Sequence, residues 1–254
     1  TITELQTVNN QTTGTITLND YTVALTGSTA VVKAALDGNF TAAYTGNVTL
    51  NDANGTSIAA TDLTQIAGDT NGTVTVSNNI NITGTAAAIA TAVGNVDTFS
   101  GTPTVALGDA HTISNLKTIN DAVSGTITLS DYTVALSGTT AVVKAALDGT
   151  FGAAYTGNVT ISDANGASIT AVDLNTIAGD TTGTVTVSNA VTISGTASVA
   201  ATAAGNVTAS TANFSLSDAH TINNLKTIND ETSGTITLTD YTVALTGNAD
   251  VVAA

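Results

Sequence analysis

Cysteine is absent from this sequence, so no disulfide framework and no thiol chemistry is available to it. Arginine is absent as well, and the only basic side chains are Lys33, Lys117, Lys144 and Lys226 against 19 acidic ones, for a net charge of −15. Phosphate recognition needs clustered Lys or Arg, so nucleic acid is excluded as a natural partner, and anionic membrane surfaces with it. No uninterrupted apolar run approaches the 18 residues of a membrane-spanning helix, and no insertion into a bilayer is expected. Tryptophan and methionine are missing too. What is present is 42% hydrophobic and rich in Val, Ile and Thr, the composition of a strand-forming chain rather than a disordered one.

One short pattern recurs nine times: polar, apolar, polar, apolar, any residue, then Asp or Asn. It stands at Thr15–Asp20, Asn47–Asp52, Thr73–Asn78, Thr104–Asp109, Thr126–Asp131, Asn158–Asp163, Thr184–Asn189, Asn213–Asp218 and Thr235–Asp240. A long period of about 110 residues encloses four of these, and residues 14–45 match residues 125–156 at 27 of 32 positions. The repeat units are therefore 15–125, 126–234 and a partial 235–254, with 1–14 the end of a preceding unit. Thr1–Thr7 aligns with Thr112–Thr118, and Asp250–Ala254 with Ala141–Ala145, as expected of a piece of a longer repetitive protein.

The two apolar columns are Ile16, Val48, Val74, Val105, Ile127, Val159, Val185, Phe214, Ile236 and Leu18, Leu50, Val76, Leu107, Leu129, Ile161, Val187, Leu216, Leu238. Alternation with polar residues gives a strand with one buried face. A corner and a second extended piece follow, for example Tyr21–Leu25 or Asn79–Thr83. A short helix comes next: Ser28 before Thr29–Leu36, Thr61 before Asp62–Ala67, Thr85 before Ala86–Val93, with Gly38, Gly68 and Gly94 as C-caps. A unit of this length cannot bury its apolar face alone. Stacking each strand on its copy at ~4.8 Å gives long parallel sheets. The expected fold is thus an all-β dominated, right-handed parallel β-solenoid, one continuous body over 1–254. Its rungs run to about 22–32 residues, with short helices on one side and a superhelical bend from their unequal lengths. The alternative is an α/β horseshoe of leucine-rich type.

Two columns are candidates for chemistry. The corner carboxylates Asp20, Asp52, Asp109, Asp131, Asp163, Asp218 and Asp240, joined by Asn78 and Asn189, either close Asx-turns or form an edge for Ca2+, the one cofactor considered. The outward pairs Thr15 and Thr17, Thr73 and Thr75, Thr126 and Thr128, Thr184 and Thr186, Thr235 and Thr237 either suit an exposed strand or present a binding surface. They resemble the flat Thr arrays of ice-binding β-solenoids. His111 and His220 occupy one repeat position four rungs apart, ~19 Å at ~4.8 Å per rung, and cannot share a site. Tyr21, Tyr44, Tyr132, Tyr155 and Tyr241 read as packing. No catalytic motif is present, and a polysaccharide-cutting groove lacks its usual basic residue.

The stretches Gly72–Asn78, Ile82–Ala86 and Thr61–Ile66 resemble the Thr/Ala/Gly/Asp-rich repeats of giant bacterial secreted or cell-surface proteins, adhesin-like and of marine cyanobacterial type. That resemblance implies an extracellular or cell-surface location and a role as an extender, coat or adhesive surface, without catalysis. The partners it implies are neighbouring repeats of the same parent chain, with end-to-end self-association as a further option.

Overall fold

In the computed structural model of the chain, residues 1–247 are described, so Asp250–Ala254 and the last part of the partial repeat lie outside them. The architecture is α/β, with 35% helix, 22% strand and several small parallel sheets alternating with helices. This corrects the expectation of an all-β solenoid and of a superhelix built from it. The period-2 pattern sustains strands of only two to four residues, whereas the helices run eight to ten.

The chain forms two compact units. The first comprises Thr1–Asp131 with Gly149–Gly152. Its helices are α1 (Ile2–Gln11), α2 (Thr29–Leu36), α3 (Ala60–Asp69), α4 (Ala86–Asn95) and α5 (Ile113–Ala122), each packed on the next. Its strands are β1 (Leu25–Gly27), β2 (Val48–Leu50), β3 (Ser57–Ala59), β4 (Val74–Val76), β5 (Asn81–Gly84), β6 (Thr98–Phe99), β7 (Thr104–Leu107) and β8 (Ile127–Thr128). They make two separate parallel sheets, ordered β1-β2-β4-β6 and β3-β5-β7-β8.

The second unit comprises Tyr132–Asp148 and the described residues from Ala153 onward. It carries α6 (Thr140–Leu147), α7 (Ala171–Asp180), α8 (Ala197–Asn206) and α9 (Ile222–Glu231), again each on the next. Its strands are β9 (Leu136–Gly138), β10 (Val159–Ile161), β11 (Ser168–Thr170), β12 (Val185–Val187), β13 (Thr192–Gly195), β14 (Asn213–Leu216) and β15 (Ile236–Thr237). The sheets are β9-β10-β12 and β11-β13-β14-β15.

Strand partners lie from 21 residues apart, at Thr192↔Asn213, to 26 apart, at Val48↔Val74. The nine copies of the motif also fail to share one sheet. Within the first unit, β2 and β4 share a sheet with β1 and β6, while β7 and β8 share one with β3 and β5. Two sheets per unit also rule out the single inner sheet of a leucine-rich horseshoe. At the first copy the chain makes an isolated bridge, Ile16 to Phe40, rather than a strand.

The apolar columns nonetheless contribute to the core, together with the inner faces of the helices. All the column residues are buried except Leu18, Ile236 and Leu238, which are half-exposed. Tyr44 and Tyr155 are buried within it, whereas Tyr241 is 71% exposed. Close approach between successive repeats depends on glycine. A Cβ on Gly72 would stand 2.4 Å from the Gly46 carbonyl oxygen, and one on Gly183 would meet Gly157 at the same distance.

Helix ends depart from the expected caps. Gly68 and Gly94 lie inside α3 and α4, whose C-caps are the extended residues Thr70 and Val96. The third helix starts at Ala60 behind Ala59, not behind Thr61. Seven of the nine described helices, all but α2 and α6, end in this way on an extended C-cap, and none ends on a left-handed glycine.

Candidate functional site

The corner column resolves into three different arrangements. Four aspartates reach back to the helix of the preceding repeat. Asp52 Oδ2 accepts from the Thr29 amide at 2.9 Å and from its hydroxyl at 2.6 Å. Asp163 does the same to Thr140 at 2.8 and 2.6 Å. Asp109 accepts from the Ala86 amide, and Asp218 from the Ala197 amide, both at 2.7 Å. The first amides of a helix have no internal partner and the N-terminus favours negative charge, so these carboxylates act as N-caps supplied from another repeat. They explain why Ser28 and Thr139, the residues preceding α2 and α6, make no side-chain cap of their own.

Asp20 and Asp240 instead close local Asx-turns, each accepting from the amide and hydroxyl two residues on, Thr22 and Thr242. Those hydrogen bonds hold both carboxyls below the ordinary carboxylate value. Asn78 and Asn189 donate from their side-chain amides to the carbonyls of Asp52 and Asp163 at 2.7 Å, tying corner to corner. Asp131 is exposed. Where a corner Asp stacks against a corner Asn, the repulsion that a cation would relieve does not arise. Among the described residues no group of three or more His, Cys, Asp or Glu is placed to hold a metal ion.

The outward threonines are distributed over both sheets. Thr75 stands in register with Thr49 and Thr98, and Thr49 with Thr26, giving a row of four threonines across the first sheet. In the second unit the row is Ser137, Thr160, Thr186 and Thr208. Thr128 belongs to the other sheet, beside Ala106, and Thr237 likewise lies beside Ser215. The first-column residues are wired differently: the side-chain oxygens of Asn47, Asn158 and Asn213 accept from the amides of Thr73, Thr184 and Thr235. Thr15, Thr17 and Thr126 stay exposed or half-exposed without joining a threonine row of the four sheets. Thr26, Thr98 and Thr208 lie outside the repeated motif. Only the strand register reveals them as part of the rows.

The remaining ionisable groups line the helix faces. Lys33 pairs with Asp62 at 2.5 Å from α2 to α3, and Lys144 with Asp173 at 3.1 Å from α6 to α7. Burial, and then the like charge of Asp37, pushes the Asp69 carboxyl up; Asp180 is raised the same way beside Asp148. A groove of about 480 Å³ between α6 and α7 carries Lys144, Asp148, Asp163 and Asp173. Its one ammonium and one of its carboxylates are engaged with each other, and another carboxylate is the α6 cap. His111 and His220 are buried, and burial lowers the His111 imidazole.

A scan against protein-family models and searches of curated proteins and of solved structures found no match to this chain.

Proposed function

We propose that the chain is a structural segment, an extender or surface-coat element, of a large extracellular bacterial protein, and that it does no catalysis. The observation that carries this reading is the duplicated use of its polar groups. Asp52 with Thr29 and Asp163 with Thr140 make the same bonds in both units, and so do Asn78 with Asp52 and Asn189 with Asp163. Side chains that elsewhere bind ligands are engaged here in joining one repeat to the next. Catalysis wants a singular asymmetric pocket, whereas repetition yields equal ones.

A repeat protein whose units interact only with neighbours tolerates loss of a whole period. Deleting residues 15–125 is expected to leave a cooperatively folding, shorter protein, read by circular dichroism and urea unfolding. Aggregation or loss of the cooperative transition counts against the reading.

A second reading, an adhesive surface that binds a regular lattice such as ice, is favoured by the in-register row Thr26, Thr49, Thr75 and Thr98. Thermal hysteresis that vanishes in Thr75→Lys would establish it, and its absence in the parent chain would remove it.

A further inference from the structure

The N-terminal end of the first unit presents a cleft of about 320 Å³ whose apolar lining is Leu5, Val8, Ile16, Leu18, Val23 and Leu25, with Glu4 and Asp20 as its charged members. Val8 and Val23 are each 49% exposed. Large apolar side chains gathered at an accessible surface mark an interaction face. The chain itself shows what covers such a face, because the same sequence occurs twice more. Leu5 and Val8 correspond to Leu116 and Ile119 and to Leu225 and Ile228, while Ile16 and Leu18 correspond to Ile127 and Leu129. Ile119 and Ile228 are fully buried, and Ile127 and Leu129 belong to the core.

Two segments do the covering in each case. In the first unit α4 lies on α5, and β7 lies parallel to β8, where the Val105 amide donates to the Thr126 carbonyl at 3.0 Å. In the second unit α8 lies on α9, and β14 lies parallel to β15, where the Phe214 amide donates to the Thr235 carbonyl at 2.8 Å. The Thr15 carbonyl holds the corresponding place at the N-terminal end.

We propose that this end is a docking face for a β-strand and helix of the repeat's own sequence. The strand, of the Thr104–Leu107 or Asn213–Leu216 type, lies parallel to residues 15–17, and the helix, of the α4 or α8 type, lies on α1. Charge supports that occupant over others. A chain of net charge −15 repels its own copies in general, but β7, β14, α4 and α8 contain no charged residue. Backbone pairing supplies the register, and the Val or Phe with the following Leu fills the cleft, as in strand addition to an open sheet edge. This goes beyond the structural reading above, since it holds whatever the outward threonines bind.

The test is the full chain extended by a second copy of residues 73–111 joined directly to Thr1, the counterpart of Thr112. Amide hydrogen exchange is read in α1, at residues 15–17 and in the added segment. The expected result is slowing of the α1 amides by at least tenfold, on the order of the range between open and packed elements, with new protection in the added strand. Val8→Asp in the extended chain should abolish most of that gain. The same substitution in the unextended chain, where Val8 is half in water, should leave it folded. Unchanged exchange in α1 overturns the proposal, and so does an added segment that gains no protection of its own.

Discussion

Helices α1 and α5 share a sequence frame, Thr-Ile-x-x-Leu-x-Thr followed by Val8 in one and Ile119 in the other, and both open with a complete capping box, Thr1 with Glu4 and Thr112 with Asn115. Yet no residue of α1 is buried, while Leu116 and Ile119 of α5 are fully so. The difference lies in the neighbours: α5 rests on α4, whereas the corresponding side of α1 faces the open cleft. Helix α9, which rests on α8, again buries its copy, Ile228. Local signals thus suffice to start and shape the helix, and the adjoining repeat decides whether its apolar face contributes stability.

The largest consequence is a gap between equivalent truncations. Ile119→Ala leaves a cavity in a packed site and should cost about 2–5 kcal/mol. Val8→Ala, at a half-exposed position, should stay within roughly 1 kcal/mol. Urea midpoints at unchanged slope measure both, and equal losses would break the comparison.

Corner aspartates should divide along the same line. Asp52→Ala strips the acceptor from the Thr29 amide and hydroxyl of a residue only 4% exposed, for an expected loss of about 1–2 kcal/mol. Asp20→Ala, which undoes one exposed Asx-turn beside the open cleft, should leave the midpoint almost unmoved.

Acid titration gives a smaller effect of opposite sign at two positions. The Asp69 carboxyl is raised in the folded state, so it binds a proton more tightly than in the unfolded chain. Its contribution is fully present below the ordinary value of 3.8 and is lost as pH rises through the folded pKa. Asp20 is lowered, so its contribution is present above 3.8 and is lost as pH falls through the folded pKa. Stability of the parent chain relative to Asp69→Asn should therefore rise on acidification from neutral pH, and relative to Asp20→Asn it should fall. Asp180→Asn should repeat the Asp69 behaviour in the second unit.

The same contrast explains what was legible in the sequence. The apolar columns are local in period and are buried at all but Leu18, Ile236 and Leu238, and the starts of α2 at Thr29 and α4 at Ala86 follow from residue type. Helices α1, α5 and α9 carry local signals as well, a capping box in each and, in α5, the helical spacing of Ile113, Leu116 and Ile119.

Sheet membership was hidden for another reason. Strand pairing follows the path between repeats, and β2 meets β1, a segment outside the motif, with Leu25 opposite Val48. The caps were hidden similarly. Asp52, Asp109 and Asp163 each stand 23 residues beyond the helix residue they hold, and Asp218 stands 21 beyond, offsets that become meaningful only once the register is known.

Native-state hydrogen exchange on the unmodified chain tests the central claim most directly, namely that coverage by the adjoining repeat, and not local sequence, stabilises these helices. The amides of Leu116 and Ile119 should exchange on the order of 100-fold more slowly than those of Leu5 and Val8, as expected between packed and locally opening elements. Equal protection in α1 and α5 would contradict it.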